Sequence, residues 1–161
     1  MRVLVLVATA ALALAGAAGA AKPVIFTEEI DDFLPGAVDC GTVALDVAVQ
    51  GAVTVHEFAD GDTVANFRLR ITWTNPVTGA SLWSPSVGPD ITRLNPDGSA
   101  TIDVVGIIVR VVVPGQGLVA AQIGSVTFSF DSPTDTEPDV TFAGPHDTDE
   151  EIDAAVCAAL A

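Results

Sequence analysis

Period-two alternation of apolar and polar residues constrains this chain more than any other feature. Val43, Leu45, Val47, Val49, Val53 and Val55 share one phase, while Thr42, Asp46, Gln50 and Thr54 take the other. Successive side chains of a strand point to opposite faces, so the pattern predicts a half-buried strand. The phase runs straight through Gly51, which predicts one long strand bent at a glycine. Phe67, Leu69, Ile71 and Trp73 repeat the pattern against Asn66, Arg68, Arg70, Thr72 and Thr74, and Val126, Phe128 and Phe130 repeat it against Thr127, Ser129 and Asp131. Beyond residue 20 there are 20 Val, 9 Ile and 14 Thr against 7 Leu. That excess of β-branched residues suits a pleated surface and loses side-chain freedom in a helix.

Turn signals divide these runs. Asp60-Gly61, Asn75-Pro76-Val77-Thr78-Gly79, Asn95-Pro96-Asp97-Gly98 and Pro114-Gly115-Gln116-Gly117 place Pro, Gly and Asn where tight turns need them. Residues 24–30 read as a first short strand and residues 31–41 as a loop carrying Pro35 and Cys40. Residues 81–84 and 91–94 read as two short strands separated by Pro85 and Pro89. Over residues 100–113 the phase slips, and a bulge at Gly106 explains it. Residues 139–142 form a last short strand. Then the period changes: Thr148 with Glu151 fits a capping box, and Ile152, Val156, Ala159 and Leu160 make a stripe at helical spacing. Roughly eight strands in hairpin order and one short C-terminal helix predict an all-β fold. It is either a single antiparallel β-barrel of lipocalin type or a β-sandwich, with the glycine kinks favouring the barrel. No linker or repeat interrupts residues 21–161, which read as one domain.

The first 20 residues have the layout of a secretory signal peptide: Arg2, an apolar run over residues 3–15, and small residues at Ala18-Gly19-Ala20. Export places the remainder where thiols oxidise, so the two cysteines, Cys40 and Cys157, are expected to form one disulfide. Loss of Arg2 leaves five Lys and Arg against 21 acids, a net charge of −16. Such a chain repels nucleic acid and anionic lipid. The most apolar later stretch, residues 102–113, is too short for a membrane-spanning helix and carries Asp103 and Arg110. The expected location is therefore extracellular, with no membrane span and no nucleic-acid partner.

Asp39-Cys40-Gly41 ahead of a valine-rich strand, Asn75-Pro76 with Thr78-Gly79-Ala80-Ser81 after the next, and the closing Val156-Cys157-Ala158-Ala159-Leu160 form a further pattern. With the N-terminal segment, these motifs resemble a family of small exported actinobacterial proteins of unassigned function with a β-barrel-like fold. The resemblance implies export, the disulfide and an all-β architecture. It implies no activity.

Candidate sites are few. A hydrolase needs a nucleophile, a base and an orienting group, and this chain has two histidines and no Gly-x-Ser-x-Gly elbow. His56 lies on the outward phase of its strand. His146, beside Asp147, is the one histidine a small secreted hydrolase could use, but a solvated loop position is the commoner role. No catalytic residue, metal ligand or cofactor motif is assigned. Nine acids between Asp131 and Asp153 form the densest charge run; they match no EF-hand spacing, and Asp149, Glu150 and Glu151 suit the positive end of a helix. The inward row Phe67, Leu69, Ile71 and Trp73, with Phe128 and Phe130, could line a site for an apolar small molecule. Small barrels more often fill that space with side chains. Trp83 is a candidate contact residue, and Arg68 and Arg70 form a basic pair whose expected partners are nearby carboxylates. Binding an apolar small molecule, or an extracellular protein at the rim, is the leading expectation. A filled structural or interaction domain is the alternative.

Overall fold

A computed structural model describes residues 22–132 and 134–161; the expected signal peptide lies outside the described residues. Seven strands follow one another in a simple meander: β1 (Val24–Asp39), β2 (Ala44–Glu57), β3 (Thr63–Thr74), β4 (Ser81–Leu94), β5 (Ala100–Val113), β6 (Gly117–Phe130) and β7 (Asp139–Ala143). All are antiparallel neighbours in a single sheet, and a C-terminal helix, α1 (Asp149–Leu160), follows. β1 and β7 are the free edges, and no hydrogen bonding joins them among the described residues. The closed eight-stranded barrel of lipocalin type is therefore not what this chain builds. The sheet is open, and β7, only 5 residues long, covers just residues 125–129 of β6.

The strand count falls from eight to seven because the prolines do not interrupt β4. Residues 81–92 pair continuously with β3 through both Pro85 and Pro89. Proline cannot donate to a ladder, and the β5 register lapses over residues 81–86, where a buried serine makes the contact to β5. The Ser84 hydroxyl donates to the Pro85 carbonyl at 2.8 Å and accepts the Arg110 backbone N–H at 2.7 Å. β1 likewise runs through the region expected to be a loop, with a register shift between Leu34 and Val38. An edge strand tolerates Pro35 there, and Asp46 pins the shift by accepting the Gly36 N–H at 2.8 Å. The slip in β5 lies between Ile107 and Val109, just after the expected Gly106.

The register assigns each residue to a face. On the inner face lie Leu45, Val47 and Val53 of β2, Phe67, Leu69, Ile71 and Trp73 of β3, Ile102 and Val104 of β5, and Val126 and Phe128 of β6. The expected phases of β2, β3 and β6 are thus observed. A line of glycines crosses this face. Gly106 pairs with Gly124, Gly88 lies beside Gly106, and Gly144 beside Gly124. At Gly106 (φ 123°) an added Cβ would sit 2.2 Å from the Val87 carbonyl oxygen. Only glycine permits backbones to approach so closely at that φ, so the line is a seam along which the sheet bends.

On one side of the seam the inner face is covered by α1. Ile152, Val156 and Leu160 pack with Val38, Leu45, Val47, Trp73, Val109, Val111, Val113 and Ala120 into the core. Each of the three helix side chains contributes roughly 1.5–3 kcal/mol by leaving water. The capping box is complete: Thr148 Oγ1 accepts the Glu151 N–H, and the Glu151 carboxylate accepts the Thr148 N–H at 2.7 Å. At the other end, buried Asn75 of the β3–β4 turn donates to the Leu160 carbonyl at 2.8 Å. The disulfide Cys40–Cys157, with its Cα atoms 5.4 Å apart, ties the helix to the end of β1. Among the described residues, no helix is long and apolar enough to cross a membrane.

Candidate functional site

Beyond the seam no element among the described residues covers the inner face, and an apolar surface is left there. Phe26 of β1, Val55 of β2, Phe67 of β3, Ile102 and Val104 of β5, Phe128 of β6, and Val140 and Phe142 of β7 share it. Phe26 is 42% exposed, Val140 41% and Phe142 51%. The six residues expected to line an apolar site therefore divide. Trp73 is 1% exposed and belongs to the core beneath the helix, with Ile71 packed against that core. Leu69 lies near the seam, opposite Gly51. Phe67 and Phe128 lie in the uncovered half, and Phe130 at its outer end opposite Ala100.

Carboxylates on this half of the face include Glu28 at its β1 edge and Asp90 in its interior. Asp90 of β4 lies on the inner face between Ala65 of β3 and Val104 of β5. Desolvation there raises its carboxyl from 3.8 to about 6, since burial penalises the charged form. No hydrogen bond or ion pair holds it among the described residues. The aromatic alternation was legible in the sequence. Asp90 was not, because it directly follows Pro89, ahead of the short run read as a strand over residues 91–94.

The remaining candidates are dispersed. The His146 ring stacks on Phe142 with centroids 3.7 Å apart, and no hydroxyl or carboxylate among the described residues hydrogen-bonds to its imidazole. Its backbone forms a bridge to Gln122, and the flanking Ile123–Pro145 and Asp147–Ala121 backbone bonds carry the edge past β7. The depression between Ile108, Ile123, Val126 and His146 has no room for a water molecule. His56 lies on the outer face opposite Val64.

Several carboxylates of the acidic segment are engaged, Asp135, Asp147 and Glu151 by backbone N–H groups. Asp135 accepts the Asp131 and Glu137 N–H groups, Asp147 accepts the Ala121 N–H at 2.6 Å, and Asp149 receives the Gln122 amide. The bonds to Thr148 hold the Glu151 carboxyl below its usual range, and those to Glu137 and Asp131 do the same for Asp135. No set of three or more His, Cys, Asp or Glu side chains converges on a metal-sized point among the described residues.

The outer face carries Arg68 and Arg70 of β3, with Trp83 on β4. The expected carboxylate partners are not there: neither arginine makes an ion pair among the described residues. The Arg70 guanidinium instead lies over the Trp83 ring, 4.6 Å from its centroid. By contrast, Arg93 pairs with Asp103, which also accepts the Thr127 hydroxyl at 2.7 Å. The Thr127 bond first, and then Arg93, hold the Asp103 carboxyl low.

No family model, no curated protein and no solved structure matches this chain.

Proposed function

We propose that this chain is an exported, non-enzymatic binding domain that takes an extended apolar ligand on the uncovered half of its inner sheet face. The observation that carries the reading is the division of that face by the glycine seam. One half is sealed by α1, while the other keeps Phe26, Val140 and Phe142 in contact with water. Covering the exposed parts of three such side chains supplies only part of the roughly 8 kcal/mol of a micromolar complex, and contact with neighbouring Phe67 and Phe128 must supply the rest. Asp90 supplies a polar anchor among the apolar side chains, and Glu28 of β1 stands on the same face at the rim.

The fit is to a ligand that lies along the strands and stays partly open to solvent. A filled interaction domain is the second reading, favoured by the absence of room in the depression beside His146. A neutral naphthylamine fluorophore separates the two. Its emission is expected to rise on binding wild-type protein, and the rise is expected to be lost in Phe142→Ser and Phe26→Ser, both at exposed positions. An unchanged emission with wild-type protein, or a full response from both variants, would reject the apolar site and leave the filled domain.

A further inference from the structure

Arg68 and Arg70 are anomalous for this protein. It has a net charge of −15 and only six Lys and Arg, yet two of its cations stand side by side on one strand face with no ion pair to a carboxylate among the described residues. Their neighbours explain the isolation. Across β2, Arg70 faces Gln50 and Arg68 faces Ala52; across β4, they face Pro85 and Val87. The nearest acids on that face, Glu29 and Asp31, lie one strand further out on β1, and Asp31 accepts the Gln50 amide at 2.8 Å. Next to the pair, the Trp83 indole is 52% exposed and Val87 is 44% exposed.

The geometry points to a second binding site on this outer face, for a short carboxylate-bearing glycan. A guanidinium presents a planar fork that matches a carboxylate through two parallel hydrogen bonds. Stacking on Trp83 holds the Arg70 fork flat, so less side-chain freedom is lost when it binds. The rest of the indole offers a flat apolar surface of the kind that C–H faces of a sugar ring cover. Strands β3 and β4 are interior to the sheet, with β4 paired to β3 from Ser81 to Thr92 and flanked by β5 on its other side. An acidic peptide would find no free strand edge here, whereas a sugar ring needs only the stacking surface and the guanidinium donors. Short length follows from charge: a long polyanion would run off the patch onto an acidic surface that repels it.

The probe is a tetrasaccharide of galacturonic acid, with a neutral glucose tetrasaccharide as control. Trp73 is buried at 1% exposure, so a ligand-induced change in tryptophan emission reports Trp83. The acidic tetrasaccharide is expected to change the emission of wild-type protein and, by calorimetry, to bind with a Kd below about 1 mM. The neutral one is expected to do neither. Arg70→Gln and Trp83→Ala are each expected to weaken binding at least tenfold by calorimetry, while their melting temperatures stay near that of wild type. Arg70→Lys, which keeps the charge and loses the fork, is expected to bind more weakly than wild type and more tightly than Arg70→Gln. Equal binding of the neutral sugar, tighter binding of an oligoglutamate, no binding by wild type, or unchanged affinity in both Arg70→Gln and Trp83→Ala would each overturn the site. The fluorophore response of the inner face is expected to persist in the Arg70 and Trp83 variants, so failure of one site leaves the other standing.

Discussion

Replacing Asp90 by asparagine removes an ionisable group from the inner face and keeps its shape. Burial raises this carboxyl from 3.8 to about 6, so between those values the folded chain holds a proton that the unfolded chain releases. The stability attached to that proton is complete below the unfolded value and is lost as pH rises through about 6. One unit of displacement corresponds to about 1.36 kcal/mol. Ionised Asp90 therefore costs the native state up to about 3 kcal/mol at pH 8 and about 1.6 kcal/mol at pH 5. Residual solvent contact scales both figures down, to roughly half.

Asp90→Asn is accordingly expected to be more stable than wild type, with an advantage that grows by about 0.7–1.4 kcal/mol between pH 5 and pH 8. Urea unfolding of both proteins at the two pH values measures this. Both values lie above the pI of about 4.1, where the chain stays charged. Taking the difference between variants cancels other titrations, such as that of Asp103. Its lowered carboxyl works in the opposite sense, adding stability that is lost as pH falls. An advantage that stays constant with pH, or a variant less stable than wild type at pH 8, would refute the argument that Asp90 ionises at an energetic cost.

Further expectations concern the frame. Gly106→Ala places a Cβ 2.2 Å from the Val87 carbonyl oxygen at a φ of 123°; it is expected to cost at least about 3 kcal/mol by denaturant unfolding. Gly115→Ala, in a turn with nothing within 4 Å, carries only the cost of its positive φ of 83° and is expected to lose about 1–2 kcal/mol. Equal losses would mean that the seam is not a close approach. Reducing Cys40–Cys157 releases a loop spanning a sequence separation of 117 and is expected to cost about 4–5 kcal/mol; a melting temperature unchanged by reductant would refute this. Ser84→Ala leaves the Arg110 N–H without its acceptor. A loss of about 1–3 kcal/mol is expected, and no loss would show that water replaces the hydroxyl.

How much of this was legible depends on whether the signal was local. The phases of β2, β3 and β6, the capping box at Thr148 and the Asn95–Gly98 turn rest on residues close in sequence, and all are observed. The prolines misled because their effect depends on neighbours. Pro35 is tolerated on an edge strand, and Pro85 where the β4–β5 register lapses and the Ser84 hydroxyl bonds to the Arg110 N–H instead. Both solutions need a partner far along the chain, which alternation cannot display. Arg68 and Arg70 failed in the same way: carboxylates are abundant in the composition, but the register puts Gln50, Ala52, Pro85 and Val87 beside them.

The open sheet has a similar origin. Closure would require β7 to offer β1 an edge of comparable length, and it offers 5 residues against 16. β1 also discourages other pairing, since Glu28, Glu29, Asp31 and Asp32 line its middle and Pro35 interrupts its donors. Antiparallel pairing of two β1 edges about Ile30 would bring eight carboxylates together, so a second copy is repelled where its backbone would fit best. The segment that could have lengthened β7 instead turns at Gly144, runs beside β6 through Asp147 and enters the helix at Thr148. The C-terminal segment thus seals one half of the inner face, and none of the other described residues covers the rest.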